Sequence, residues 1–292
     1  MTAKTRRAWR AGVLALGLAL AGTAAAPPAH AANPIEAVYP IEAAYAAPGT
    51  WAVSTADVGT AYKLYYPTDL GAGGFRHPII TWGNGTNAVP AQYPGVLNQL
   101  ASWGFVVIAS TSTGTGTGNE ILAGVDHLVA ANGDPSSVFH AKLDTARVGA
   151  VGHSQGAGGS VRATLASNGS IRTVVPIALP DPVWWSPGHE FDISQLTVPV
   201  LFLGGVNDFF VAPPRVLTTY YNQVPGAAAK ASLRNAGHNT IQNSGGGFLG
   251  YLTAWFMYQL RDDAVARGAF AGGSPELIGN TKWSNQATKG LP

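Results

Sequence analysis

The sequence predicts an α/β fold, a mostly parallel central sheet with helices on both faces. Three observations predict it. Short apolar runs at residues 78–82, 105–109, 148–151, 174–178 and 198–203 alternate with stretches of helical apolar spacing. Between one such run and a small-residue stretch lies Gly152-His153-Ser154-Gln155-Gly156, which reads as strand, sharp turn and helix. Polar loops carrying Asn84, Asp208 and His238 each follow an apolar run, where open sheets bind their ligands.

The elements follow in order. Residues 61–67 read as an early strand closed by Pro67, and 78–82 as a buried strand ended by Gly83-Asn84-Gly85-Thr86-Asn87. Residues 94–103 have helical spacing through Val96, Leu97 and Leu100, with Gly104 as the stop. A buried strand at 105–109 leads through the Thr/Gly-rich loop 111–118 to a helix over 119–131. The strand before Ser154 is followed by a helix to about residue 166. Strands at 174–178 and 198–203 and a weaker one at 231–234 come next. A final amphipathic helix spans 248–260, with Leu252, Trp255, Phe256 and Leu260 on its buried stripe.

The 292-residue chain opens with Lys4, Arg6, Arg7 and Arg10, an apolar run over 11–21, and the small-x-small pattern Ala29-His30-Ala31. Residues 1–31 therefore read as a secretory signal, and the apolar run is too short for a stable membrane span. Residues 32–50 are expected to be a flexible lead-in, 51–263 the α/β domain, and 264–292 a C-terminal extension packed on or near it. Without the signal, 13 basic residues face 15 acidic ones, a net charge of −2, which removes the compositional case for a nucleic-acid partner. No later segment reads as transmembrane, and a secreted monomer is expected. The absence of cysteine excludes disulfides and thiolate chemistry.

The G-x-S-x-G turn lifts the Ser154 hydroxyl out of the sheet and aims the Gln155 amide at a developing oxyanion. A serine hydroxyl needs a base, and the base an orienting carboxylate, in the chain order serine, acid, histidine. His238 follows the last predicted strand and is the expected base; His189 lies in a Pro/Gly-flanked loop before a strand and is not chosen. Asp208 follows the run ending at Leu203 and is the expected acid, with Asp181 and Asp192 as rivals. The second oxyanion donor is expected from the loop after residues 78–82: the Asn84 amide, with Gly85 and Thr86 as the neighbouring alternatives that also border the substrate. This chemistry calls for no cofactor and no metal ion.

With these residues in place, the chain resembles the polyesterase–lipase–cutinase family of α/β-hydrolases, which includes bacterial cutinases and polyethylene terephthalate hydrolases. The likeness is carried by Tyr65-Tyr66-Pro67-Thr68, by Leu100-Ala101-Ser102-Trp103-Gly104-Phe105-Val106-Val107, by the elbow with its lead-in Leu143-Asp144-Thr145-Ala146-Arg147-Val148, and by Asp208-Phe209-Phe210-Val211-Ala212-Pro213. It implies the α/β-hydrolase fold and a secreted serine hydrolase that cleaves carboxylic esters, with polyesters such as polyethylene terephthalate among the candidate substrates. It also places a substrate-stacking tryptophan near Trp184 or Trp185. The chain departs from the family in having Gln155 after the nucleophile instead of Met, Asn84 or Gly85 where a Tyr is usual, Asn207 before the acid, no C-terminal disulfide, and a longer tail. A secreted acyltransferase or a short-chain esterase of the same fold would use the same residues.

Overall fold

Runs that bury both faces of a strand set the middle of the molecule. The computed structural model describes residues 38–292; the expected secretory signal and the first part of the lead-in lie outside the described residues. Nine strands form one sheet: β1 (Val53–Val58), β2 (Tyr62–Pro67), β3 (His77–Gly83), β4 (Val106–Ser110), β5 (Leu143–His153), β6 (Ile171–Ile177), β7 (Val200–Gly205), β8 (Ala228–Leu233) and β9 (Trp283–Lys289). Their order is β1-β2-β4-β3-β5-β6-β7-β8-β9. The pairs from β4 through β8 are parallel, while β1–β2, β2–β4 and β8–β9 are antiparallel. This is the mostly parallel sheet of the α/β-hydrolase fold.

Eight helices accompany it among the described residues: α1 (Pro40–Ala46), α2 (Pro94–Ser102), α3 (Asn119–Gly133), α4 (Gln155–Ala166), α5 (Pro214–Gln223), α6 (Leu249–Arg261), α7 (Ala264–Arg267) and α8 (Glu276–Gly279). Alternation along each central strand divides the core in two. Ile80, Trp82, Val151, Val175, Leu201 and Leu203 face α2 and α6, whereas Ile79, Ala150, Val174, Val200 and Phe202 face α3, α4 and α5. Gly149 is small for a reason: a Cβ there would sit 2.6 Å from the Phe256 ring of α6.

Two expectations need correction. The lead-in is not flexible from residue 40 onward, because α1 buries Glu42 and Tyr45 against the domain. Residues 264–292 pack on the domain, and their strand β9 joins the sheet beside β8, so the expected domain boundary at 263 is what changes. Neither β9 nor β1 has the alternating apolar pattern of a half-buried strand, since both lie at sheet edges where one flank is solvated. The amphipathic helix α5 was also unforeseen. Among the described residues no helix is long and apolar enough to cross a membrane.

Candidate active site

The elbow is built by close backbone approach. β5 ends at His153 and α4 begins at Gln155, leaving Ser154 alone between them at φ +55° and ψ −121°. A non-glycine residue in that region is strained, and such strain collects at functional turns. The flanking glycines permit it: a Cβ on Gly152 would lie 2.1 Å from the Gly156 carbonyl oxygen, and one on Gly156 would lie 2.3 Å from that of Gly83. The Ser154 amide donates to the Ile177 carbonyl at 2.9 Å, pinning the turn to β6.

The loops after β7 and β8 bring the other two groups to the same sheet edge. The Ser154 hydroxyl lies 2.8 Å from His238 Nε2, and His238 Nδ1 lies 2.5 Å from Asp208 Oδ2. Asp208 is only 3% exposed. Burial alone would raise its pKa, but the bond from His238 and the Ala212 and Val211 amides outweigh it and hold the carboxyl below its ordinary value. Those amides reach Asp208 Oδ1 at 3.1 and 3.2 Å. An ionised carboxylate fixed this way keeps the imidazole's Nδ1 protonated and its Nε2 free to take a proton. Asp181 sits elsewhere: it caps a short 3₁₀ turn and pairs with Arg215 at 3.1 Å. Asp192 likewise caps a turn, through the Ser194 amide.

A family model described as PET hydrolase-like matches residues 23–288. The chain belongs to the PET hydrolase-like family. Among curated relatives, bis(hydroxyethyl) terephthalate hydrolase of Streptomyces coelicolor is 28% identical over 207 residues, covering 68% of this chain and 62% of that protein. Cutinase est1 of Thermobifida alba is 30% identical over 188 residues, covering 58% of this chain and 60% of its own length. Lipase 1 of a Moraxella strain is 23% identical over 184 residues, covering 58% and 53%. The matched region thus spans less than two thirds of each of these relatives.

In this PET hydrolase-like chain, the residues above open onto a cleft of about 490 Å³. Ser154, Gln155, His238, Gly85 and Thr86 all line it. Asn84 does not. It is fully buried, its carboxamide accepts the Trp82 indole N–H at 3.0 Å, and its Nδ2 donates to the Ser110 and Ser112 carbonyls. These bonds hold the Asn84 side chain inside the protein, away from the cleft. The Gly85 amide is taken by the Tyr93 hydroxyl at 3.1 Å. The Thr86 amide has no protein acceptor among the described residues and belongs to the cleft wall.

Both tryptophans line the cleft, in different ways. Trp184 is 56% exposed and donates its indole N–H to the Phe210 carbonyl at 2.9 Å. Trp185 is half-buried and packs on Phe191 with ring centroids 4.5 Å apart. The Gln155 carboxamide accepts the Thr115 amide at 3.0 Å, tying the Thr/Gly-rich loop to the elbow. Tyr93, His153 and His189 also line the cleft. His153 is brought here by its place next to Ser154, whereas Tyr93 and His189 are brought here by the packing of segments remote in the chain.

Proposed function

We propose that this chain is a secreted serine hydrolase that cleaves carboxylic esters, polyesters such as polyethylene terephthalate among them. One observation carries the reading: an unbroken hydrogen-bonded line from Asp208 through His238 to Ser154, ending at an open cleft beside the N-terminus of α4. His238 takes the Ser154 proton as the oxygen attacks the ester carbonyl carbon. The amides of Gln155 and Thr86 stabilise the oxyanion, helped by the positive end of α4. His238 then hands the proton to the departing alcohol. Water attacks the acyl-enzyme through the same base and releases the acid.

The substrate class rests on the cleft's surroundings. Trp184 offers an aromatic face, and Val183, Phe209 and Phe210 beside it are 80%, 67% and 80% exposed. An uncharged acyl or aryl chain gains from covering such a rim, as a charged or peptidic one would not. The basic, then apolar, then small-residue opening of the sequence supports export. The relatives named for terephthalate ester, cutin and lipid substrates support the same reading.

Ser154→Ala tests it. Hydrolysis of p-nitrophenyl butyrate should fall by several orders of magnitude with the thermal midpoint little changed. A fluorophosphonate should label the parent protein and not the variant. Near-normal turnover by Ser154→Ala would refute the nucleophile. Activity on short soluble esters with none on triglyceride or polyester film would narrow the substrate class to a short-chain esterase.

A further inference from the structure

We propose that Tyr93 and His153 are positioning residues, forming one buried, one-directional hydrogen-bond chain that holds the oxyanion loop and the base loop against the nucleophile strand. The inference rests on the ester-hydrolase reading above.

The chain has four members. The Gly85 amide nitrogen lies 3.1 Å from the Tyr93 hydroxyl, which lies 3.0 Å from His153 Nδ1. His153 Nε2 lies 2.8 Å from the carbonyl oxygen of His238. Tyr93 and His153 are 0% and 1% exposed, so the central link between them is buried. The His238 carbonyl accepts no other hydrogen bond among the described residues.

Chemistry allows only one direction. A carbonyl oxygen only accepts, so His153 Nε2 carries the hydrogen. Burial, with the His238 ring 4.9 Å away, keeps His153 neutral, which leaves Nδ1 as a bare acceptor. Tyr93 must then donate to Nδ1 and accept from Gly85. The titratable groups facing His153 are Tyr93, His238 and Asp208, and they do not compete for its single hydrogen. The approach is tight as well: a Cβ on Gly85 would lie 3.0 Å from His153 Nδ1 and 3.1 Å from the Tyr93 oxygen.

Both ends touch groups assigned to the reaction. Gly85 precedes Thr86, which lines the cleft, and His238 carries the base. His153 precedes Ser154 itself. His153 borders the cleft with only 1% exposure, and its influence runs through the loops it ties. Being neutral, it also puts no second positive charge beside His238 when that ring becomes an imidazolium.

The test uses Tyr93→Phe, His153→Leu and the double variant, assayed with p-nitrophenyl butyrate and by the rate of fluorophosphonate labelling, well below each thermal midpoint. Tyr93→Phe should lower kcat by about tenfold or more and leave KM within about twofold, with the labelling rate falling in step. The double variant should be no more impaired than the weaker single, because both substitutions break one chain. A Tyr93→Phe enzyme with unchanged kcat, a loss confined to KM, or losses that multiply in the double would overturn the proposal. If His153→Leu does not fold, the kcat and labelling data on Tyr93→Phe decide alone. An inert Ser154→Ala beside a fully active Tyr93→Phe sinks only this chain; an active Ser154→Ala sinks the hydrolase reading beneath it.

Discussion

The Glu42 carboxylate accepts the indole N–H of Trp283 at 2.6 Å, across 241 residues of sequence. Lys282 Nζ and Asn280 Nδ2 bond its other oxygen at 2.9 and 3.0 Å. In return, Glu276 receives the Ile41 and Glu42 amides of α1, both at 2.7 Å. A buried carboxylate is tolerable when it is paired and its lone pairs are filled, and here both conditions are met. In a chain without cysteine, this clasp fastens α1 to the final strand.

Glu42→Ala should therefore destabilise the protein by about 3 kcal/mol, since it strands Lys282 and the Trp283 indole. The thermal midpoint should fall by roughly 6–12 °C. Glu42→Gln, which keeps an acceptor, should cost less. Urea unfolding checks both, and kcat at 25 °C should not change, because the clasp is remote from Ser154. A midpoint unmoved in Glu42→Ala would show that the clasp contributes nothing.

Asp208→Asn should lower kcat by about 10⁴, because the amide no longer fixes the imidazole tautomer that exposes a free Nε2. Asp181→Asn loses only a turn cap and a half-solvated pair with Arg215, so turnover should stay within a factor of a few. Steady-state hydrolysis of a soluble ester separates the two. The reverse ranking would move the acid to Asp181.

Acid should weaken the fold through His153. Burial first, then the nearby His238, pushes its pKa down from 6.5 to about 3. The unfolded chain then binds a proton that the native state refuses. Stability therefore rises with pH across this window and is lost as pH falls from about 6.5 toward 3, by about 1.4 kcal/mol per unit. His77, its pKa lowered mainly by burial, adds a contribution of the same sign. Below the ordinary carboxylate range Asp208 acts the same way: its depressed pKa gives stability above the unfolded value that disappears as the folded group is protonated. Unfolding free energies at several pH values should show a shallower slope between pH 6 and 4 for His153→Leu than for the parent. Equal slopes would mean that His153 is protonated in the fold.

The apolar rim should matter for insoluble substrates and not for soluble ones. Phe210→Ser should weaken adsorption to a polyester film by roughly tenfold, the scale expected from exposing one aromatic side chain to water instead of a surface. Its kcat on p-nitrophenyl acetate should be unchanged. A matching loss on the soluble ester would show that Phe210 shapes the cleft itself and not its rim.

Local spacing carried much of this protein. The elbow around Ser154, the alternation of buried runs with helices, and the chain order Ser154, Asp208, His238 were legible because strand period, glycine conformational need and turn chemistry act over a few neighbouring residues. Edge strand β9 and helix α1 were not, since α1 is buried against α6 and β9 against β8, with Glu42 and Trp283 joining them, and neither carries an apolar repeat of its own. The register of the oxyanion loop was equally hidden. Asn84, Gly85 and Thr86 are adjacent in sequence, and what separates them is that Trp82 and the Ser110 and Ser112 carbonyls hold the Asn84 side chain inside while the Tyr93 hydroxyl takes the Gly85 amide. Sequence by itself determined which residue types stand at which sheet edge. Only the tertiary structure decided which atoms face the cleft, because hydrogen-bond partners that lie tens to hundreds of residues apart become neighbours when the sheet closes its loops over Ser154.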